Sequence, residues 1–345
     1  MSIANLHELL QQGQCDYRCY DLGRRVQPIS TSEFAAIAEQ RAPYPYPHQN
    51  HAQYALVFWP QLSNRPEPFI WLLKLPIDER GLLDQQAQQH FISQVLALLG
   101  QQLTGALTEQ QQQQLQQSPY LFNPSTVQQA ALHAQLRELF GQPPSLHCAA
   151  VERFLRQPQQ YQWQQLGIQG IHDVAVRLAH MSDLHDRLVT QLDSLPLPFL
   201  HALAQAMEHP QLPVGLVEPL LAALPQLATE RQRVVWRMLS SRADHPALQQ
   251  ALQQSLTTTA DSDMLVLITM RLWPALIATN NSRLLADFLD QLARHPQAEL
   301  RLALLQELVR LPALRGHLFV ALRGHDKPNS IQQLWQQLKG QPACS

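Results

Sequence analysis

Two short runs in the first quarter of the chain restrict its fold more than anything else. "QYALVFW" (53–59) and "FIWLLKL" (69–75) are apolar at nearly every position. A strand with one face in water alternates apolar and polar residues, whereas a strand written like these is covered on both faces. Side chains alternate along a strand. Tyr54, Leu56, Phe58, Phe69, Trp71 and Leu73 are therefore expected on one face, and Ala55, Val57, Trp59, Ile70 and Leu72 on the other. Helices expected over 31–40 and 83–99 can cover one face. The second needs the rest of the chain or a partner, a second copy included, because monomers rarely expose an apolar patch above a few hundred Å².

The neighbouring segments complete a small mixed domain over residues 1–100. "CDYRCYDLGRRVQPI" (15–29) alternates loosely and breaks at Gly23, which reads as a hairpin. Ser30 with Glu33 three residues later is a capping box, and Ile29 sits where a hydrophobic staple would. Pro43, Pro45 and Pro47 hold 42–52 as an extended loop, and Asn64, Pro66 and Pro68 mark the loop between the two apolar strands. Pro76 ends the ladder, having no N–H to give. Asp78, Glu79 and Arg80 then stand at the end of a buried strand and raise the question of catalytic carboxylates. Asp78 and Gly81 are turn formers. The apolar positions 83, 87, 91, 92, 95, 98 and 99 have a helical period, so Asp78, Glu79 and Asp84 meet the positive end of a helix. Turn formation and capping account for all three acids.

"LTEQQQQQLQQSPY" (107–120) belongs to a glutamine-rich helical spacer over 101–122. After it, Asn123 reads as an N-cap, Pro124 as the first helical residue and Gly141 as the stop of a helix running through Phe140. From 123 to 345 nothing reads as a strand. Three helical segments end in His-Pro: "FLHALAQAMEHP" (199–210), "VVWRMLSSRADHP" (234–246) and "LLADFLDQLARHP" (284–296). Counting back from His209, His245 and His295, the same four offsets are apolar in each: Phe199, Leu200, Leu203, Met207; Val235, Trp236, Leu239, Ala243; Leu285, Ala286, Leu289, Ala293. That is one helical stripe repeated. With partner helices at 213–224, 247–256 and 263–278, the region is expected to be a HEAT-like stack with those three helices side by side; the irregular intervals of 36 and 50 residues leave an unrelated helical bundle as the alternative. Proline drives the preceding residue out of helical conformation and histidine suits the negative helix end, so the His-Pro pairs read as terminators, not ligands.

Composition narrows the chemistry. Charged residues are only 15% and glutamine fills the gap with 50 residues, so partners are read by shape and hydrogen bonds more than by field. The net charge is −2, and residues 1–100, 101–195 and 196–345 carry −2, −2 and +2. No segment has the basic excess of a nucleic-acid binder. Of 25 bases only Lys74, Lys327 and Lys339 are lysines. "MSIANLHELL" lacks a signal peptide's basic start, no run of about 18 apolar residues spans a bilayer, and Cys15, Cys19, Cys148 and Cys344 form no metal or redox motif. A soluble, reduced, cytoplasmic protein is expected.

Catalytic motifs are sparse. There is no Gly-x-Gly, no P-loop and no Gly-x-Ser-x-Gly elbow. His7-Glu8 starts a zincin-like pattern, but Gln11 stands where the second histidine belongs; His48 and His51 lack a carboxylate beside them. One constellation carries an enzymatic alternative: "IHDVAVRLAHMSDLHDRL" (171–188), with His172, Asp173, His180, Asp183, His185 and Asp186. Imidazoles and carboxylates are what a divalent metal acting on water requires, and adjacent His-Asp pairs resemble the HD phosphohydrolases. In that superfamily the ligands come from separated helices, whereas these crowd into one segment, and Asp183 after Ser182 suits an N-cap. The reading taken is a polar helix face with caps.

At "FIWLLKLPIDERGLLD", with the preceding "YALVFW", the sequence resembles a bacterial family known only as a domain of unknown function, over most of the chain. The resemblance implies a bacterial cytoplasmic setting and lends no activity, cofactor or functional residue. The expectation is an α+β domain with an antiparallel sheet at 1–100, the spacer at 101–122, and a larger all-α, HEAT-like helical-repeat region at 123–345. Its expected role is a non-enzymatic scaffold for a protein or peptide partner, with no cofactor, no metal and no membrane. The alternative is a metal-dependent hydrolase at 172–186.

Overall fold

The computed structural model describes residues 3–62, 67–100, 103–104, 108–258, 260–277, 282–323, 331–332 and 336. Asn64, Pro66, Lys327, Lys339, Cys344 and the ends of the expected segments at 107 and 278 lie outside them. Contacts divide the chain into two units, Met1–Gln128 and Gln129–Ser345.

The first unit is built on four antiparallel strands in the order β2-β1-β3-β4: β1 (Cys15–Asp21), β2 (Gln27–Ile29), β3 (His51–Pro60) and β4 (Phe69–Pro76). Tyr54 pairs with Leu73, Leu56 with Trp71 and Phe58 with Phe69, so the first expected set does share a face. Three helices pack there: α1 (Leu6–Gln12), α2 (Thr31–Ala38) and α3 (Gln85–Leu99). Their apolar stripes bring Leu6, Leu10, Phe34, Ile37, Phe91 and Val95 into one core with the sheet. At its centre Trp71 meets Phe58 at 4.5 Å and Phe91 at 5.5 Å between ring centroids. Each such side chain contributes about 1.5–3 kcal/mol by leaving water. On the opposite face Ala55 and Val57 are inaccessible, and Trp59, Ile70 and Leu72 are half-buried. Two-faced burial therefore holds at the middle of the sheet.

Local capping follows the sequence at Ser30 and Asp84, although among the described residues Glu33 does not return the second bond of a capping box. Asn5 caps α1, Ser30 accepts from the Glu33 amide, and Asp84 accepts from the Ala87 amide. The end of the proline loop is a tight turn, not a plain extended segment. His48 and His51 exchange backbone hydrogen bonds across Gln49 and Asn50, both at positive φ (46° and 60°), the requirement of a primed hairpin turn.

The glutamine-rich segment is docked on the first unit. Its helix α4 (Glu109–Gln116) starts with a full capping box between Thr108 and Gln111. Gln111 donates to the Leu98 carbonyl (2.8 Å), Ser118 to Gln94 (2.8 Å), and Leu115 is buried. Residues 120–122 then extend the sheet beside β4, with the Lys74 amide donating to Tyr120 (2.7 Å) and the Phe122 amide to Leu72 (3.1 Å). A sheet edge covered this way offers no template for another chain. Helix α5 (Thr126–Leu139) begins two residues later than Asn123 and Pro124 suggest. Its cap is Ser125, whose hydroxyl accepts from the Gln128 amide while Gln128 reaches back to the Ser125 amide.

In the second unit the described residues form helices and no strand. In order they are α6 (Cys148–Arg156), α7 (Ile168–Arg177), α8 (Ser182–Thr190), α9 (Leu197–Met207), α10 (Val217–Ala223), α11 (Thr229–Met238), α12 (Pro246–Ser255), α13 (Ser262–Leu267), α14 (Ser282–Arg294), α15 (Ala298–Arg310) and α16 (Pro312–Arg323). Helix α13 runs on as a π-helix (Ile268–Leu272) and a 3-10 turn (Trp273–Ile277). Each helix packs against the one two places on. One row is α7, α9, α11 and α13, with α15 against the π-helix; the other is α6, α8, α10, α12, α14 and α16.

This pattern corrects the register of the repeat. The helices ending near His209 and His245 are neighbours, α9 and α11, but the one ending at His295 is α14, in the other row. Only α10 separates the first two; α12 and α13 both separate α11 from α14. The 50-residue interval is a unit and a half. Burial agrees: the stripes of α9 and α11 are buried, while Ala286 is exposed and α14 turns Leu284, Phe288 and Leu292 inward. His245 is the N-cap of α12, with Pro246 at its first turn, so this His-Pro starts a helix as much as it ends one. Among the described residues no helix is long and apolar enough to cross a membrane.

Candidate functional site

The His/Asp residues of 172–186 do not converge. Successive residues on a helix diverge by about 100°, and His172 and Asp173 on α7 face different surroundings. Asp173, fully buried, accepts from the Ser145 amide (2.8 Å) and from Gln169 (3.2 Å), holding the turn before α6. Gly170 lets that turn come close: a Cβ there would fall 2.4 Å from the His147 carbonyl oxygen. His180 is exposed and meets Glu138 at 3.0 Å. Asp183 is in the first turn of α8, not at its N-cap, and pairs with Arg156 at 3.1 Å. His185 donates to the Leu178 carbonyl (2.8 Å), and Asp186 is exposed. Among the described residues no group of three or more His, Cys, Asp and Glu is disposed to hold a metal. The hydrolase alternative thus lacks its constellation among the described residues, because the six side chains are turned to different partners.

The acids after β4 serve the turn. Asp78 accepts from the Arg80 amide (2.9 Å) and the Leu82 amide (2.8 Å), and Arg80 lies over it at 3.5 Å in solvent. His7 touches the Tyr17 hydroxyl at 2.9 Å and Glu8 accepts from the Ala4 amide, so neither is part of a metal motif.

A polar centre that no motif announces lies along the first row of helices. Glu208, the C-cap of α9, is 1% exposed. Arg237 on α11 grips it with two bonds, Nε to Oε2 at 2.5 Å and Nη2 to Oε1 at 3.1 Å. Arg271 of the π-helix adds Nε to Oε2 at 2.9 Å. Burial alone would raise the Glu208 carboxyl, but the guanidinium groups of Arg271 and Arg237 outweigh it and hold it at about 2. One carboxylate therefore serves two guanidinium groups, both of which line the wall above it. Beside it His172 stacks on His209 at 5.7 Å, and burial lowers His172 to about 4 against the pull of Glu208 and Asp173. His172 is neutral at neutral pH.

Over this centre α9, α11 and the α13–π segment form an open cavity of about 340 Å³, whose lining includes His201, Arg233, Arg237, Val266, Met270 and Arg271. Positions 263, 266, 267, 270 and 271 all line it, which is a single helical stripe. π turns often occur at functional sites. At the mouth Arg233 pairs with Asp261 (2.5 Å) and Asp263 (3.0 Å). The arrangement offers an apolar floor beside oriented N–H donors.

Residue spacing gives this site no sequence signature, since Glu208, Arg237 and Arg271 come from three helices. The preference for arginine over lysine was the one available hint, because only a guanidinium makes the two-bond grip seen on Glu208. No curated protein and no solved structure gives a significant match. The chain belongs to the family described as "Protein of unknown function (DUF3549)", which matches residues 1–339.

Proposed function

We propose that the chain is a non-enzymatic protein- or peptide-binding scaffold whose second unit is a HEAT-like α-solenoid. The observation that carries this reading is the cavity on α9, α11 and the π-helix, with apolar and guanidinium walls fixed from behind by Glu208. Support for the solenoid comes from the two rows in which each helix packs on the next but one; such stacks offer extended binding surfaces. A bacterial cytoplasmic setting goes with this reading, and the buried free thiols of Cys15, Cys19 and Cys148 suit a reducing compartment.

The test is affinity purification from the native host with the wild-type chain and with Val266→Asp. Val266 lines the cavity and is 37% exposed, so an aspartate there leaves the core intact. A protein retained by the wild type and lost with the variant is expected. Identical retention by both, or none by either, would count against the scaffold.

A further inference from the structure

We infer that the cavity on α9, α11 and the π-helix receives an acidic side chain of a peptide, flanked by an apolar residue, with the carboxylate held by Arg237 and Arg271. The inference rests on the peptide-binding reading and adds the chemistry of the ligand. Arg237 uses Nε and Nη2 on Glu208; Arg271 uses Nε on Glu208 and Nη1 on the Met270 carbonyl. Among the described residues Nη1 of Arg237 and Nη2 of Arg271 have no hydrogen-bond partner, and planar guanidinium groups suit a carboxylate.

The placement of charge favours an anionic group. Two guanidinium groups, 27% and 21% exposed, share one carboxylate that is 1% exposed, so positive charge is presented at the wall while its counter-charge lies behind it. Arg233 is offset by Asp261 and Asp263, whose side chains are 47% and 71% exposed and screened by water. His201 lies 3.9 Å from Glu230, also at the surface. Counted together, Arg233, Arg237 and Arg271 balance Glu208, Asp261 and Asp263, so the match to a carboxylate lies in the two less exposed guanidinium groups that share Glu208 and not in a net charge. Val266 and Met270 then seat the apolar neighbour of the acidic residue.

The test uses the full chain labelled with 13C at its methionine methyls, with Met270 as the reporter inside the cavity. The probes are N-acetyl-Leu-Glu-Leu-amide, its glutamine and lysine counterparts, and inorganic phosphate. The glutamate probe is expected to shift the Met270 methyl with affinity about tenfold above the glutamine probe, the scale of a charge-assisted hydrogen bond. The preference should weaken with added salt. Val266→Asp should reverse it in favour of the lysine probe. Arg271→Gln should remove it with the helical circular dichroism unchanged; if that variant does not fold, Val266→Asp still decides. Equal shifts from the three peptides would overturn the acidic specificity and leave the peptide-binding reading standing. Displacement by phosphate more strongly than by the glutamate probe would overturn the carboxylate assignment. No shift from any probe would overturn the inference, while the host purification judges the scaffold separately.

Discussion

Two buried acids, Asp21 in the first unit and Glu208 in the second, are held in opposite ways. In the first unit Asp21, 0% exposed, closes the β1–β2 turn: it accepts from the amides of Gly23 (3.0 Å), Arg24 (3.2 Å) and Arg25 (3.2 Å) and from the Tyr44 hydroxyl (2.7 Å). Burial outweighs these bonds and raises its carboxyl to about 6. In the second unit Glu208 is equally dry, yet Arg271 and Arg237 overcome the burial and hold it at about 2. Around Asp21 the hydrogen bonds do not offset the loss of water; around Glu208 the two guanidinium groups do. The first arrangement fixes a turn. The second ties three helices together and presents two guanidinium groups to a cavity.

The largest expected effect sets the apolar scale for this comparison. Leu239, fully buried after α11, should cost about 2–5 kcal/mol on change to alanine, measured by urea unfolding. A cost below about 1 kcal/mol would show that α11 is not packed between its row neighbours. Next is Glu208→Ala, which strands two guanidinium groups. Breaking a buried pair costs about 3–5 kcal/mol, and because Arg237 and Arg271 are about a quarter exposed the lower end is expected. An unchanged urea midpoint would remove Glu208 from its place as the tie between helices.

The pH dependence separates the two acids by sign. The folded value of Asp21 lies above the ordinary carboxylate value near 4, so its contribution is present at low pH and is lost as pH rises from about 4 to about 6. Glu208 lies below its ordinary value, so its contribution is present above about 4.5 and is lost as pH falls toward 2. Urea midpoints against pH should therefore show a falling component between 4 and 6 that disappears in Asp21→Asn, and an acid-side loss that disappears in Glu208→Gln. The same sign for both would refute the contrast. The smallest effect is Asp78→Ala, which removes two turn hydrogen bonds at a solvent-exposed position and should cost about 1 kcal/mol with no change in any binding by the second unit.

What could be read from the residues was mainly local. Ser30, Asp84 and Asp78 act through bonds within four positions, so their types and spacing reveal their roles. The two-faced burial of Ala55 and Val57 was legible because the strands lack alternation. Ser125 was missed because Asn123-Pro124 offers the commoner helix start two residues earlier. The displaced third repeat has a different cause: His-Pro ends helices in both rows, and it does not record which row a helix joins. Glu208, Arg237 and Arg271 meet only because α9, α11 and the π-helix are successive members of one row, and that order depends on counting α12 and α13 as separate helices. The 172–186 cluster failed in the opposite way. Its residues are close in sequence, but helix geometry turns them toward the Ser145 turn, Glu138, Arg156 and the Leu178 carbonyl.

The cavity over Glu208 is the feature on which the functional account stands, and panning a displayed random-peptide library against the full chain tests it most directly. The account predicts enrichment of peptides that carry an acidic residue next to an apolar one and that lose binding to Val266→Asp. Failure to enrich any sequence, or enriched peptides that bind wild type and Val266→Asp alike, would contradict it.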